Sequence, residues 1–537
     1  YFFSWSKVFG KMPPKQQRGE MKKERSQQAD VRTLNIENAI AVANVVKTSL
    51  GPRGLDKLII QPKGDVLVTN DGATILKELE ATHPCAKMMV DMSKAQDVEA
   101  GDGTTSSVIA AGSLLNAVKI LLNRGIHATT IGDAFLKAQR KSVEILEGMA
   151  DKVELSDDKT LIEAATTSLS SKVVSQSSKL LAPMAVNAVK VLCDEDPSKK
   201  NVDLNFIKMV KVLGGSIDDT EMVQGLVLPQ KASKMAGGPS KISNAKVALI
   251  QFQLSPPKTD MENNVVITDY AQMDRVLREE REYLLGLCKK IAKSGCNVLL
   301  IQKSILRDAV TETSLHFLAK MKIMVVRDVE RTDVEFICKS LGCLPIASID
   351  HFSPNKFGYA EKAEEMATSE GKIVKITGVK AQSRAVSIML RGATKLLLDE
   401  SERSMHDALC VVRCLVKNPK IVRGGGAPET EVAVQLRKWA MTLEGVDSVC
   451  VRAYADALEV IPEMLALNAG LNPVEISTQL RKFHYDGKKF AGIDVRKGCI
   501  VEESAVQVPL LVVTSMLEHA TETVLMILRI DDILRTR

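Results

Sequence analysis

The run at 99–107, Glu-Ala-Gly-Asp-Gly-Thr-Thr-Ser-Ser, constrains the fold more than any other stretch of the chain. It separates two helical patterns, 85–98 and 104–124, and its glycines predict a tight turn between them. Such a turn directs backbone amides and hydroxyl groups at one point, at the positive end of the following helix, which is typical of a phosphate site. The alternative interpretation is an ordinary capped helix that begins after a glycine turn.

Asp102 lies inside this turn. A carboxylate next to bound phosphates is favourable only where a cation lies between them, and Mg²⁺ bridging phosphate oxygens is the common solution. The run differs from the Walker loop because no lysine follows its glycines. The residues therefore indicate a nucleotide or phosphate site of another type.

Other glycine-rich turns follow helical patterns elsewhere in the chain. A helix that Asn35 could cap is predicted to end at the Gly-Pro-Arg-Gly run 51–54, where the glycines permit close approach to a ligand. The triple glycine 424–426 would let the backbone lie flat against a base or ribose. Asp71 precedes Gly72 at the start of a helix, although a simple Asx turn also explains it.

Two further segments suit the chemistry of a phosphoanhydride. The helical pattern 161–172 ends in hydroxyl groups and Lys172, which could bind a terminal phosphate or form an ordinary helix end. The pattern 395–417 predicts one long helix that carries Asp407. Hydrolysis needs a metal ion on the oxygens and a carboxylate that orients water, and the three aspartates Asp71, Asp102 and Asp407 are the candidates.

The organisation of the chain follows from its length and its change of pattern. A chain of 537 residues is predicted to form about three domains. Short β-rich runs alternate with helices over 226–375, which predicts an α/β module inserted in a mainly helical chain. Residues 1–30 are polar and basic and predict a disordered tail, in which Met12 is a candidate native start. A helix at 518–528 is predicted to lead into an edge strand.

Composition argues against several classes of function. The net charge of +6 is small for this length and aromatic residues make up 4%, which argues against nucleic acid as a partner. The ten cysteines lack zinc-site spacing and are predicted to be buried, reduced thiols, which favours a cytoplasmic location. No apolar run is predicted to be long enough to cross a bilayer, so no membrane partner is expected.

Five motifs in one order resemble the group II chaperonins. They are LGPRGLDK at 50–57, TNDGAT at 69–74, GDGTT at 101–105, RSMHDA at 403–408 and GGGAPE at 424–429. The resemblance covers essentially the whole chain after the tail. Three further runs, at 254–260, 269–281 and 301–308, resemble one subunit type of the eukaryotic cytosolic branch, TRiC/CCT.

The resemblance implies a multidomain α + α/β fold, the chaperonin fold. A mainly helical equatorial domain would comprise 31–158 and 410–537, and a small intermediate domain 159–225 and 376–409. An α/β apical domain would span 226–375. The polar stretch after Pro257 would be the helical protrusion that closes a chamber as a lid.

The resemblance also assigns roles to residues. Asp102 would bind Mg²⁺, Asp407 would orient the attacking water with Asp71 beside it, and Lys172 would sense the γ-phosphate. The sequence departs from the family pattern at Arg423, where a small residue is usual, and over 501–509. The implied nucleotide-binding residues are Gly51, Pro52, Gly103, Thr104, Thr105, Ser106, Ser168, Lys172, Gly425, Gly492 and Gln507.

The implied function is that of an ATPase with ATP/ADP and Mg²⁺ as cofactors. Nucleotide hydrolysis would close a stacked double ring of paralogous chaperonin subunits around unfolded client proteins such as actin and tubulin, with a co-chaperone such as prefoldin. Two alternatives remain on chemistry alone. One is a ring member that binds ATP but hydrolyses it weakly, and the other is a lidded small-molecule phosphotransferase.

Overall fold

A computed structural model describes residues 28–533 except for 63, 194–200, 234–236, 257–268, 306–307, 370 and 380–384. The chain forms two compact units. The first combines Tyr1–Asp151 with Lys420–Arg537, and the second is Lys152–Pro419. The finer boundaries of the predicted equatorial, intermediate and apical domains stay predictions. The predicted lid protrusion after Pro257 lies largely outside the described residues.

The helices and strands alternate irregularly along the chain. The helices are α1 (Gln28–Val46), α2 (Gly72–Glu78), α3 (Pro84–Glu99), α4 (Thr104–Asn123), α5 (Ala128–Met149), α6 (Asp158–Ser170), α7 (Ser178–Cys193), α8 (Tyr270–Lys293), α9 (Glu312–Lys320), α10 (Asp333–Leu341), α11 (Lys395–Lys417), α12 (Ala427–Ala440), α13 (Val446–Leu458), α14 (Val460–Asn468), α15 (Pro473–Tyr485) and α16 (Leu510–Arg529). The strands are β1 (Lys57–Ile60), β2 (Val66–Thr69), β3 (Asp151–Lys152), β4 (Ile207–Leu213), β5 (Glu221–Val223), β6 (Gly225–Leu228), β7 (Lys241–Ile250), β8 (Val298–Gln302), β9 (Met324–Val329), β10 (Gly358–Thr368), β11 (Gly371–Val379), β12 (Val386–Gly392), β13 (Lys420–Arg423), β14 (Gly492–Asp494), β15 (Cys499–Val501) and β16 (Gln507–Pro509).

Helix α4 is the centre of the first unit. It is apolar on most of its surface and packs against α1, α13 and α16. A Cβ atom on Gly112 would lie 2.4 Å from the Cβ of Ala43, so only glycine lets α1 approach this closely. Each large aliphatic side chain buried here stabilises the unit by roughly 1.5–3 kcal/mol. The N-terminus of α4, where the first glycine run ends, is thereby held by a rigid core.

The two ends of the chain contribute to the same core of the first unit. The rings of Phe135 on α5 and Tyr454 on α13 meet edge to face, with centroids 5.2 Å apart. The buried Tyr454 hydroxyl lies 2.9 Å from the Thr521 hydroxyl of α16, which satisfies its hydrogen bonding. Burial raises the pKa of Tyr454 to about 12. Residues from three distant helices therefore fix one another.

The second unit contains a six-stranded sheet in the order β6-β11-β10-β7-β8-β9. Strands β7, β8 and β9 are parallel, whereas β10 is antiparallel to β7. Alternate residues of β7 enter two cores: Val247 and Leu249 face the core that includes α10, and Ala248 and Ile250 face the core of α8 and α9. The prediction of an α/β module in this part of the chain is confirmed, and its bounds at 226–375 stay a prediction.

A smaller sheet lies in the same unit and carries the long helix α11. Strand β12 pairs in parallel with β4 and antiparallel with β5. Helix α11 packs against α6 and α7. The prediction of one helix over 395–417 is confirmed. The apolar residues recur at helical spacing along the whole segment, which favours one continuous helix.

Two predictions at the N-terminus are corrected by α1. The helix begins at Gln28, so 28–30 are helical rather than disordered, and 1–27 lie outside the described residues. Asn35 is inside the helix and fully buried, so it is not the cap. Once a helix is nucleated, each further residue adds a hydrogen bond at small cost, and the helix therefore extends past a possible cap.

The prediction for the C-terminal segment is also wrong. Helix α16 begins at Leu510, and residues 530–533 form no strand. Buried residues Leu510, Val513 and Leu517 continue one apolar stripe, which extends the helix N-terminally. Pro509 precedes the first turn and ends the preceding strand.

Two of the described helices, α4 and α16, are long and apolar enough by length and composition to cross a membrane. The prediction that no run is long enough is therefore wrong by this criterion. Their most apolar windows are 56% and 67% buried inside the structure. This burial is typical of core helices, which are hydrophobic on most sides.

Candidate functional site

Asp71 caps helix α2 and also reaches the start of α4. Its Oδ2 accepts hydrogen bonds from the backbone amide of Thr74 at 3.0 Å and from the Thr74 hydroxyl at 2.7 Å. Its Oδ1 accepts one from the Thr104 hydroxyl at 3.3 Å. The carboxylate is therefore held in place at the N-terminus of α4.

The turn at Gly72 touches the same helix end. A Cβ atom on Gly72 would lie 2.5 Å from Thr105 Oγ1 and 2.9 Å from the Thr105 amide nitrogen. No side chain fits there, so the glycine is required by this close approach. The structure thus brings together two motifs that the sequence offered separately, the Asn-Asp-Gly turn and the Gly-Asp-Gly-Thr-Thr turn.

Gly103 is the N-cap residue of α4, with φ of +75°. Its amide donates to Asp102 Oδ1 at 2.7 Å, which orients that carboxylate beside the helix end. Buried Gln96 donates to the Asp102 carbonyl oxygen and to the Ser515 hydroxyl, both at 3.1 Å. The turn is therefore fixed from beneath by a glutamine that sequence reasoning missed.

The first turn of α4 presents Thr104, Thr105 and Ser106. The first amides of an α-helix have no partner within the helix, and the helix dipole is positive there. Together with the hydroxyl groups, these amides can bind an anion such as a phosphate. The structure places all three residues where the sequence predicted them.

The turn at Gly51 is held by two residues of α14, Leu465 and Asn468. A Cβ atom on Gly51, whose φ is +85°, would lie 2.6 Å from Leu465 Cδ2. The side-chain amide of Asn468 donates to the carbonyl oxygens of Lys47 and Leu50 at 3.0 and 2.9 Å. Pro52 follows in the exposed part of the turn.

The same helix also contacts the triple glycine. Gly425 and Gly426 have φ of +77° and +82°, a region that favours glycine. A Cβ atom on Gly426 would lie 2.7 Å from Pro462 Cβ. Helix α14 therefore supports two glycine-rich turns that are far apart in sequence, through Leu465 for one and Pro462 for the other.

Gly492 lies directly on the triple glycine. A Cβ atom on Gly492 would lie 2.8 Å from the carbonyl oxygen of Gly424. The amide of Ile493 donates to the carbonyl oxygen of Gly425 at 2.9 Å. Gln507 is buried on β16, opposite Arg423 of β13. These glycines therefore form one backbone surface, as a flat ligand such as a nucleoside requires.

In the second unit, Lys172 and Asp407 form an ion pair. Lys172 Nζ lies 2.7 Å from Asp407 Oδ2, and each side chain is only 9% exposed. Asp407 lies within α11 and Lys172 just after α6, whose buried Ser168 is near its end. The remaining predicted site residues, including Asp71 and Asp102, belong to the first unit.

The sequence of the chain matches the model of a known protein family. The model of the TCP-1/cpn60 chaperonin family matches residues 42–537. The chain belongs to this chaperonin family. The predicted resemblance is thereby confirmed.

Individual relatives are similar over nearly the whole chaperonin chain. It is 57% identical over 518 residues to T-complex protein 1 subunit delta of Homo sapiens, covering 96% of this chain and 95% of the human one. It is 57% identical over 524 residues to the same subunit of Takifugu rubripes, covering 97% of each chain. Identity to the Arabidopsis thaliana subunit is 55% over 528 residues, covering 98% of each. The predicted similarity to the delta subunit of TRiC/CCT is confirmed.

Arg423, where the chaperonin chain departs from the family pattern, faces the other departing segment. Its Nη2 lies 3.7 Å from Oε1 of Glu503, a largely exposed residue. A pair at this distance is weak, because solvent screens it. The added cation is therefore accompanied by a nearby anion within 501–509.

In the described part of the chain, few side chains that could bind a metal ion lie close together. Among the residues described between 28 and 533, no three His, Cys, Asp or Glu side chains gather as a metal site would require. Mg²⁺ at a nucleotide usually takes one or two carboxylates, with phosphate oxygens and waters completing its shell. A single oriented carboxylate such as Asp102 fits this mode of binding.

Proposed function

We propose that the chain is an ATP-dependent chaperone subunit, in which binding and hydrolysis of ATP drive closure of a double-ring chamber. The chain is a chaperonin by family. The observation that carries the proposal is the convergence of distant glycine-rich turns in the first unit. Gly51 and Gly426 meet on α14, Gly492 lies on the triple glycine, and Asp71 reaches Thr104.

The phosphates would be bound at the N-terminus of α4. Thr104, Thr105 and Ser106 supply amides and hydroxyl groups there, with Gly51, Pro52 and Gly103 allowing the backbone to approach. Asp102 would hold Mg²⁺, which neutralises phosphate charge when bound. Asp71, fixed by Thr74 and Thr104, lies beside these groups.

The base and ribose would lie against the backbone surface of Gly425 and Gly492. A Cβ atom would lie 3.0 Å from the Ile493 carbonyl oxygen at Gly425 and 2.8 Å from the Gly424 carbonyl oxygen at Gly492, so the two backbones pack together without side chains between them. A backbone surface of this kind would suit flat contact with a ring. Gln507, on the strand that pairs with β13, would contribute a polar contact. ATP and ADP would be bound equally well here, because they share this part.

Asp407 is proposed to orient the attacking water, and Lys172 to sense the γ-phosphate, with Ser168 as a further contact. These roles come from the family resemblance. The 2.7 Å ion pair supports them because the ammonium group stabilises a charged carboxylate, and a charged carboxylate can accept a hydrogen bond from water. A lysine already close to that carboxylate can exchange it for a phosphate oxygen.

The proposal extends to partners and location. Paralogous subunits in a stacked double ring, unfolded client proteins such as actin and tubulin, prefoldin and a cytoplasmic location are all expected from the resemblance. A ring member that binds ATP but hydrolyses it weakly is the second candidate, because Arg423 places a cation next to the nucleotide turn. No observation favours a phosphotransferase.

The test uses the assembled complex and azido-ATP labelled at either the α- or the γ-phosphate. Photo-crosslinking then reports on this chain alone whether ATP or ADP is bound. Wild type should lose γ-label with time, and Asp407→Asn should slow that loss by about a hundredfold while retaining α-label. Asp399→Asn, on the same helix but outside the proposed site, is the control.

Each failure has a distinct signature. Absence of α-label on the wild-type chain would reject nucleotide binding. Persistent γ-label on the wild type would favour the weakly hydrolysing ring member. Equal loss of γ-label from wild type and Asp407→Asn would reject the role given to Asp407.

A further inference from the structure

His484 is a fully buried histidine in the first unit, and no motif singled it out. It lies near the end of α15, with 0% of its side chain exposed. Its Nδ1 is 2.7 Å from Glu431 Oε2 and its Nε2 is 3.0 Å from the carbonyl oxygen of Ala491. Both ring nitrogens therefore have a partner, and both partners are oxygens.

The chemistry of these partners fixes the protons. A carbonyl oxygen only accepts, so Nε2 must carry hydrogen. One more proton lies between Nδ1 and the Glu431 carboxylate. Burial opposes ionisation of Glu431, yet hydrogen bonds from His484 and Gln435 hold the pKa of Glu431 below its ordinary value. The shared proton joins the ring to the carboxylate by a short hydrogen bond.

The two partners of His484 lie close in sequence to the two glycine segments of the proposed base and ribose site. Glu431 is on α12, shortly after the triple glycine at its N-terminus. Ala491 directly precedes Gly492, the glycine that lies on Gly424. His484 thus connects the helix that follows one glycine segment to the strand that contains the other.

Glu431 is itself fixed within its helix. Its Oε1 accepts a hydrogen bond from the Gln435 side-chain amide at 2.7 Å, which leaves Oε2 directed at the ring. The connection is therefore fixed at both ends, by a carboxylate with both oxygens bonded and by a backbone carbonyl of the residue that directly precedes β14. Buried networks in which every group is satisfied hold a unique geometry.

We propose that His484 and Glu431 are a positioning pair that sets the separation between Gly425 and Gly492, and thereby the affinity for adenine nucleotides. The inference rests on the proposed function, in which these glycines face the base and ribose. Glycine has no side chain that could fix its position. The hydrogen bond from the imidazole to the carbonyl oxygen of the adjacent Ala491 fixes Gly492 instead.

The pair acts on binding and leaves the chemical step unchanged. The base and ribose are remote from the reacting phosphates at α4 in the proposed site. A change in their binding affects ground state and transition state equally, which raises KM and leaves kcat unaltered. A loss of folding has the opposite signature, since it reduces the number of active sites at unchanged affinity.

The experiment measures photo-crosslinking of azido-ATP and azido-ADP to this chain in the assembled complex, over a range of nucleotide concentrations. The midpoint gives affinity, and the plateau gives the number of competent sites. His484→Ala and Glu431→Ala should each raise the midpoint about tenfold for both nucleotides at an unchanged plateau. The double variant should resemble either single one, because both remove the same contact.

Two further variants complete the test. His127→Ala, which removes an exposed histidine at the start of α5, should keep the wild-type midpoint. Glu431→Gln keeps a hydrogen-bonding group opposite Nδ1 and should stay within about twofold of wild type. Should the alanine variants fail to assemble, His484→Gln replaces them. It keeps the bulk but cannot reach both acceptors, so the same tenfold shift is expected.

The outcomes are separable. Unchanged midpoints in the variants would overturn the positioning pair, as would a lower plateau at an unchanged midpoint, which indicates a purely structural role. Absence of labelling on the wild-type chain would instead reject the proposed function itself, and the positioning pair with it.

Discussion

The candidate site residues of the first unit meet through backbone, and those of the second unit meet through side chains. Gly72, Gly426 and Gly492 bring turns so close to other residues that a single added carbon would collide. Lys172 and Asp407 instead bring two opposite charges together in a buried place. A backbone site is therefore sensitive to added atoms, and a side-chain site to removed ones.

The largest expected effect is on the side-chain part. Lys172→Ala or Asp407→Ala removes one half of a buried ion pair, which should cost about 3 kcal/mol of unfolding free energy. The double variant should cost less than the sum of the two. Urea denaturation of the three variants measures this coupling.

The control for this prediction is Asp399→Ala on the same helix. Asp399 pairs with Lys211, and both side chains are partly exposed, at 29% and 41%. Its loss should therefore cost less than about 1 kcal/mol. Equal costs for Asp399 and Asp407 would contradict the distinction between exposed and buried pairs.

An effect of similar size is expected when one carbon is added to the backbone of the first unit. Gly426→Ala places Cβ 2.7 Å from Pro462 at a φ of +82°, so it should cost about 3 kcal/mol from strain and overlap together. Gly125→Ala has the same φ, +82°, with no atom within 4 Å, and should cost only about 1 kcal/mol. Urea midpoints of the two variants compare overlap with strain directly.

A smaller effect, on the pH dependence of stability, is expected at Glu429, a buried carboxylate of the first unit. Glu429, in the first turn of α12, is buried, and its Oε2 has no hydrogen-bond partner among the described residues. Burial raises the pKa of Glu429 to about 6. The folded state therefore binds this proton more tightly than the unfolded one, and the stability so gained is lost as pH rises through about 6.

The variant Glu429→Gln tests the direction of this pH dependence of stability. The variant stays neutral, so its stability relative to wild type should rise by about 2 kcal/mol between pH 4.5 and pH 7.5. Urea denaturation across this pH range measures the difference. Glu444→Gln changes an exposed carboxylate of the same unit, and its unfolding free energy should differ from that of wild type by the same amount at every pH. If the unfolding free energy of Glu429→Gln also differed from that of wild type by a constant amount at every pH, burial would not perturb the pKa of Glu429.

Local patterns predicted local structure well. The long helix α11 and the turn before α4 each follow from spacing or from glycine within a few residues. The errors fell where two local signals competed. Asn35 has the chemistry of a cap, yet the helix continues through it because each residue added to a nucleated helix gains a hydrogen bond at small cost.

The groups that hold the site together left no local signal. Gln96, Asn468 and His484 are ordinary polar residues in helical patterns, and their partners are far away in sequence or on backbone atoms. A hydrogen bond to a distant carbonyl oxygen carries no spacing rule. These residues could therefore be found only from coordinates.

The sequence by itself determined which residues have phosphate chemistry and where the chain can turn, since glycine, proline and helix ends act over a few residues. Its motif order also determined the family. Only the tertiary structure decided that Leu465 and Pro462 of one helix support two glycine turns, and that Lys172 is paired with Asp407. Such meetings depend on how whole helices pack, and packing is set by the sum of many weak contacts that no short pattern contains.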